Sequence, residues 1–341
     1  MKSFCLLFLS VAFVIVPAVE AFPQSGVGRY QPSKKTEAVP NQPYEKYSTR
    51  DRFGREILFY LSKSSNQKPL PLVLYIEGSG CGSRFEERNG KVRPAGGHIV
   101  VAEVFTNKAR VLIVEKPGVK YLFQPPDGDC RTLVEFNREH TLGRWAEANE
   151  AAIRAARRLP RIEKSKTLVV GHSEGGLVAC RVARDLPDLV THVSTIAGGG
   201  VSQLFDLIAL ARRGEFFGEV SSDPGGRVEY VLGKWKDIQK NPTSPDKFFF
   251  GFAYRRWSTF LAASPVEELA TVRAKIYIAQ GTVDKAVEPV SADTLYAQLV
   301  AKNRSITYDH VEGANHSFRI KEMPKTDGWR ELFERIAKWF E

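Results

Sequence analysis

The stretch that most constrains this chain is Val169-Val170-Gly171-His172-Ser173-Glu174-Gly175-Gly176. Ahead of it, residues 166–170 are short, apolar and rich in β-branched side chains, the pattern of a buried strand. Behind it, residues 177–186 have the pattern of a helix. Between the two, Gly171, Ser173 and Gly175 have the G-x-S-x-G spacing of a nucleophile elbow. A turn this sharp holds its central residue in a strained conformation. Side chains two residues to either side would collide with the turn or with the helix start. The helix N-terminus then aims free N–H groups at any anion that forms there. A Gly-rich turn carrying a bystander serine has the same spacing. The strand before it, the helix after it and the extra Gly176 favour the functional reading.

The chain has 341 residues and opens on Met1-Lys2-Ser3, followed by an almost wholly apolar run from Phe4 to Val16. That run is too short to span a bilayer as a helix. With Pro17 and the compact residues near Ala21, it predicts a cleaved secretory signal over residues 1–21 and no stable membrane span after cleavage. Residues 22–48 are rich in Pro, Gln, Ser, Gly and Lys and read as an extended or mobile arm. What remains suffices for one large α/β domain with insertions, or for two domains. The net charge of +10 comes without a long Lys/Arg block or a nucleic-acid motif. No nucleic-acid partner is expected, and solubility accounts for the charge. Cys81, Cys130 and Cys180 lie beyond the signal. In an exported compartment they predict one disulfide and one buried thiol.

Apolar runs at 71–76, 110–114, 166–170, 190–197, 275–280 and 305–310 alternate with helical stretches at 144–159, 177–186 and 329–340. This is the pattern of a mostly parallel sheet covered by helices on both faces. Ligands in such sheets bind beyond the carboxyl ends of the strands. Residues 201–264 break the rhythm with helical patterns, a Gly/Pro turn and the aromatic run Phe248 to Trp257. They predict an inserted, mostly helical cap within a catalytic domain of residues 49–341. Phe249 and Trp257 are its candidate substrate-binding residues. Arg212, Arg213, Arg255 and Arg256 would favour an acidic group if they faced the pocket, but arginines of this kind are more often solvated, so an apolar preference is expected.

A serine hydroxyl needs a base within reach, and the base needs an orienting carboxylate. Asp284 follows the strand at 275–280 in the loop Gly281-Thr282-Val283-Asp284, with Glu288 a weaker substitute. A turn aspartate is the competing explanation. His316, in Gly313-Ala314-Asn315-His316, follows the last strand and is the best placed of six histidines. His172 reads as packing or oxyanion support. His98, His140, His192 and His310 lack metal-ligand spacing, so no metal and no cofactor are expected. Gly78, Gly80 and Gly82 imitate a dinucleotide fingerprint, but the third glycine is mis-spaced.

The order Ser173, Asp284, His316, each on a loop after a parallel strand, resembles that of the α/β-hydrolase superfamily, from about residue 52 to the end. The resemblance implies an eight-stranded-type sheet, with Ser173 as nucleophile, His316 as base and then acid, and Asp284 as orienter. It implies an oxyanion hole of the Glu174 amide and one from the loop Glu77-Gly78-Ser79-Gly80. Ser79 is the aligned donor there and Gly80 the fallback, although many relatives carry His-Gly where this chain has Glu77-Gly78. In the superfamily's sheet order the strands before Cys81 and Cys130 are neighbours, which implies a Cys81–Cys130 disulfide and a free Cys180. The first reading is an exported carboxylesterase acting on a small-molecule ester through an acyl-enzyme. A peptidase of prolyl-oligopeptidase-like type is second, since Ala263-Ser264-Pro265 also occurs in such domains. An acyltransferase is third. A binding protein on a hydrolase fold comes last, because it would need a broken triad.

Overall fold

The computed structural model describes residues 33–341. The expected signal, residues 1–21, and the first part of the expected arm lie outside the described residues. Nine strands form one sheet: β1 Ser33–Ala38, β2 Tyr44–Arg50, β3 Glu56–Ser62, β4 Leu70–Ile76, β5 Arg110–Val114, β6 Ile162–His172, β7 His192–Ile196, β8 Lys275–Gly281 and β9 Ile306–Val311. Their spatial order is β1-β2-β3-β5-β4-β6-β7-β8-β9. Pairing is antiparallel from β1 through β3 to β5, and parallel from β5 to β9. The mostly parallel architecture is the one expected, with one strand more than the eight-stranded type.

That extra strand corrects the expectation for the arm. From residue 33 the chain enters the sheet, and β2 pairs with β3 along seven positions, from Tyr44 opposite Ser62 to Arg50 opposite Glu56. Val39, Tyr44 and Tyr47 are buried, and the Tyr44 ring meets the Phe85 ring edge-on at 5.7 Å. A few apolar side chains in a polar stretch are enough when an existing sheet edge supplies the backbone partners.

The central strands separate two cores by simple alternation. Val169 faces the helices Leu142–Ala156 and Glu174–Asp185, against Trp145, Ala148 and Ala152. Its neighbours Leu168 and Val170 face the opposite side, against Phe333 and Ile336 of the closing helix Gly328–Phe340. Thr141 caps the first of these helices, its hydroxyl accepting from the Arg144 amide at 3.3 Å. The small residues Ala148, Ala152, Ala155 and Ala156 are all buried, as their spacing predicts.

Between β7 and β8 lie the helices Gln203–Arg213, Pro224–Lys240 and Tyr254–Phe260, and the hairpin Phe248–Phe249 with Phe252–Ala253. Ser202 and Asp223 cap the first two helices, and Gly214 ends the first in a left-handed turn at φ 83°. These elements share their own core, built around Leu207, Phe217, Val231, Phe249 and Trp257.

Cys81 and Cys130 form a disulfide across 49 residues of sequence, with Cα atoms 5.7 Å apart. Cys180 is free and buried, its thiol pushed up by burial. The bridge packs with Val119 and Phe136 beside the carboxyl ends of β4 and β5. Replacing both bridged cysteines by serine should destabilise the protein by roughly 2–4 kcal/mol. Denaturant unfolding of the double variant against the oxidised protein reads this directly, and an unchanged midpoint would refute it.

Candidate active site

The strain expected at Ser173 is present. It stands between β6 and the helix Glu174–Asp185 with φ 55° and ψ −126°, a conformation that non-glycine residues avoid. Its amide donates to the Ile196 carbonyl at 2.8 Å. The flanking glycines are required by space. A Cβ on Gly171 would lie 2.0 Å from the Gly175 carbonyl oxygen, and one on Gly175 would lie 2.2 Å from that of Ile76. The end of β4 therefore packs backbone to backbone on the start of the helix. Gly78 comes closest to the serine, since a Cβ there would lie 2.9 Å from Ser173 Cβ.

His316 and Asp284 are joined across the ends of β8 and β9. His316 Nδ1–H donates to Asp284 Oδ2 at 2.8 Å. The carboxylate is wholly buried and further fixed by the amides of Ala286 and Val287 on Oδ1, at 2.8 and 3.0 Å, and by Gln280 Nε2 on Oδ2 at 3.1 Å. Burial alone would raise its pKa, but the His316 hydrogen bond and charge, with the two amides, hold it below the ordinary value. With Nδ1 committed, Nε2 is left as the proton acceptor of the neutral ring. Glu288 does not compete: its Oε2 accepts from Arg213 Nη1 at 2.8 Å. His172 supports the loop from below. Its Nε2–H donates to the His316 carbonyl at 3.2 Å, and the two rings lie 4.8 Å apart. Burial, reinforced by His316, pushes its pKa down to about 4, so this ring is neutral.

Ser173, His316, Ser79 and Glu174 line a single cavity of about 340 Å³. The amides of Ser79 and Glu174 donate to no other group among the described residues. The departure at Glu77 has a structural counterpart: its carboxylate forms an ion pair with Arg84, whose guanidinium also bonds the Gly82 carbonyl. That pair clamps the turn at both ends.

The cap side of the cavity differs from expectation. Trp257 lines it, but Phe249 does not; Phe249 packs among Phe217, Tyr230 and Trp257 inside the cap. Phe250, at the hairpin turn, and Phe252, the cross-strand partner of Phe249, reach the cavity instead, with Phe216 and Leu207. Arg256, taken from sequence as more often solvated, is 3% exposed and pairs with Glu174 through Nε at 2.8 Å. It stacks on Trp257 at 3.7 Å. Burial would raise the Glu174 pKa, but Arg256 and the nearby His140 hold it well below the carboxylate range. Sequence reasoning also missed Asp206, a lining residue pushed up to about 7 by burial, and Lys116 beneath the loop. No local pattern marks either one. Among the described residues no cluster of His, Cys, Asp or Glu is arranged to hold a metal, and no helix is long and apolar enough to cross a membrane.

A family model described as "Alpha/beta hydrolase family" matches residues 105–326. No curated protein matches the chain by sequence. Solved structures of similar fold include a puromycin-hydrolysing peptidase of Mycobacterium tuberculosis, with 16% identity, a TM-score of 0.57, and 90% of this chain but 41% of that one covered. Est1E of Butyrivibrio proteoclasticus, bound to ferulic acid, has 19% identity and a TM-score of 0.54, with 83% and 97% covered. The acylaminoacyl peptidase of Pyrococcus horikoshii has 12% identity and a TM-score of 0.57, with 88% and 42% covered. The chain thus spans about two fifths of these two peptidases. At such identities the likeness is one of fold.

Because a Cβ at Gly78 would press on Ser173, Gly78→Ala should displace the serine with little effect on the distant cores. Any turnover that depends on Ser173 should fall at least ~10-fold, as expected when a reacting group is misplaced by about an ångström. Steady-state kinetics beside a thermal melt checks this, and unaltered turnover in the folded variant would refute it.

Proposed function

The chain belongs to the alpha/beta hydrolase family, and from that premise we propose that it is an exported serine hydrolase, a carboxylesterase, working through Ser173, His316 and Asp284. The observation that carries this is the joint geometry of one cavity. A strained serine, an imidazole oriented by a buried carboxylate and two uncommitted amides all face it. In the proposed reaction Ser173 Oγ bonds to the acyl carbon as its proton passes to His316 Nε2. The carbonyl electron pair moves onto oxygen, where the Ser79 and Glu174 amides receive it. Asp284 stabilises the imidazolium. Collapse breaks the bond to the leaving alkoxide, which takes the proton from His316. Water then enters by the same route and releases the acid.

Export is supported by the apolar run from Phe4 to Val16 and by the Cys81–Cys130 disulfide, which belongs to an oxidising compartment. The walls formed by Phe216, Phe250, Phe252 and Trp257 favour an apolar or aromatic acyl group. A peptidase is the second reading, favoured by the fold likeness to the puromycin-hydrolysing and acylaminoacyl peptidases.

Wild-type protein should label with a fluorophosphonate probe and hydrolyse p-nitrophenyl esters faster than aminoacyl-naphthylamides. The opposite preference moves the assignment to the peptidase. Ser173→Ala should lose labelling and lower kcat by on the order of 10⁴-fold or more. Near-wild-type turnover in that variant would sink the proposal.

Substrate choice should follow the cavity lining. Phe252→Ala and Phe250→Ala should change relative rates across acyl-chain lengths, whereas Phe249→Ala should chiefly lower the melting temperature. A chain-length profile that shifts for Phe249→Ala alone would contradict the assignment of these walls.

A further inference from the structure

The carbonyl groups on both sides of Ser79 accept from one buried ammonium. Lys116 follows β5, the sheet neighbour of β4, and is 2% exposed. Its Nζ donates to the Gly78 carbonyl at 2.8 Å and to the Gly80 carbonyl at 2.8 Å. It also lies 3.9 Å from the centre of the Trp145 ring, which closes off another side of the ammonium. The preceding residue, Glu115, holds the same loop farther along. Its carboxylate accepts from the Ser83 hydroxyl at 2.6 Å and from the Arg84 amide at 2.9 Å. Two consecutive side chains thus grip residues 78–84, one through carbonyls and the other through donors.

We infer that Lys116 is a positioning residue for the oxyanion hole, orienting the Ser79 amide by holding the carbonyl of the same peptide unit. The inference rests on the serine hydrolase proposal. The Gly78 carbonyl and the Ser79 N–H belong to one planar trans unit, in which they point in opposite directions. Holding the oxygen toward Lys116 turns the N–H away from it. Gly78 offers no side chain to resist rotation of that unit, so the tether comes from elsewhere. The second bond, at Gly80, anchors the far side of Ser79, next to the disulfide at Cys81. A cation on the Gly78 carbonyl also polarises the peptide and makes its N–H a stronger donor. Burial draws the ammonium pKa down to about 7, against the opposing charges of Glu174 and Glu77. The neutral amine still has two N–H groups, one for each carbonyl.

The test compares Lys116→Met and Lys116→Gln with wild type, after circular dichroism and thermal unfolding establish which variants fold. Two quantities are read: kcat and KM on a p-nitrophenyl ester, and the inhibition constant of an alkyl trifluoromethyl ketone, whose serine adduct carries an oxyanion. In Lys116→Met, kcat should fall by about 10²-fold, the scale of losing one oxyanion donor. KM should change little, and the inhibition constant should rise in step with the fall in kcat. Lys116→Gln, which keeps N–H donors, should lose less; it carries the test if the methionine variant does not fold. A loss of stability alone would not move kcat and ketone affinity together at constant KM. A folded Lys116→Met with wild-type kcat and ketone affinity, or with only KM raised, overturns the inference, and where only Lys116→Gln folds the same result in that variant overturns it. Ser173→Ala run in parallel separates the two claims. If it retains turnover, the serine hydrolase proposal falls; if it is inactive while Lys116→Met matches wild type, only the role of Lys116 falls.

Discussion

Everything at the carboxyl edge of the sheet depends on close backbone approach between the end of β4 and the start of the helix at Glu174. Gly175 lies against the Ile76 carbonyl, and Gly78 against Ser173, at distances that exclude a methyl group. This contact sets where the serine stands relative to the loop carrying Ser79. It also draws polar backbone out of water, and each buried group then needs a partner. The side chains around the loop meet that need: Lys116 for the Gly78 and Gly80 carbonyls, Glu115 for the Arg84 amide, and Arg84 for the Gly82 carbonyl. Among the described residues the amides of Ser79 and Glu174 remain uncommitted, and both residues lie on the cavity.

The charges in this region are arranged in compensating pairs. Glu77 faces Arg84, Glu174 faces Arg256, and Asp284 faces His316. Burial without an ion-pair partner raises a carboxyl pKa, as at Asp206, which is pushed up to about 7. Arg256 adds a second consequence. It belongs to the cap helix Tyr254–Phe260, while Glu174 opens the helix behind the serine. The ion pair therefore ties the cap to the residue whose amide faces the cavity. Such a pair is weak as a source of net stability, because desolvation offsets most of its attraction, but it specifies one arrangement of the two elements.

The disulfide and the cap meet beside the cavity, where Phe252 of the cap hairpin packs against the cluster of Cys81, Cys130, Val119 and Phe136. Cys81 lies just beyond Ser79, so the bridge to Cys130 limits how far the loop can move away from β5. The cap brings Phe216, Phe250 and Phe252 over the serine, and Phe250 remains 48% exposed at the rim. A rigid floor of backbone and charge thus meets a wall of aromatic side chains.

Much of this was legible in the sequence, because some local structures admit few residue types. A strained strand-to-helix turn needs glycines at fixed offsets, which marked Ser173. Short loops after apolar strands marked Asp284 and His316, and these two do meet in the structure. Alternating strand and helix patterns determined a parallel sheet covered on both faces. The resemblance in strand order then implied the pairing of Cys81 with Cys130. Only the tertiary structure decided the rest, because burial and pairing are set by residues far apart in sequence. The polar stretch at 33–48 becomes sheet only because β3 offers a free edge. Phe249 is enclosed in the cap core while Phe250 and Phe252 reach the cavity, a placement that composition does not record. Arg256 and Lys116 look like surface residues until the fold encloses them. Their value to the site lies in what they neutralise and hold, which appears only once β4, β5 and the cap are brought together.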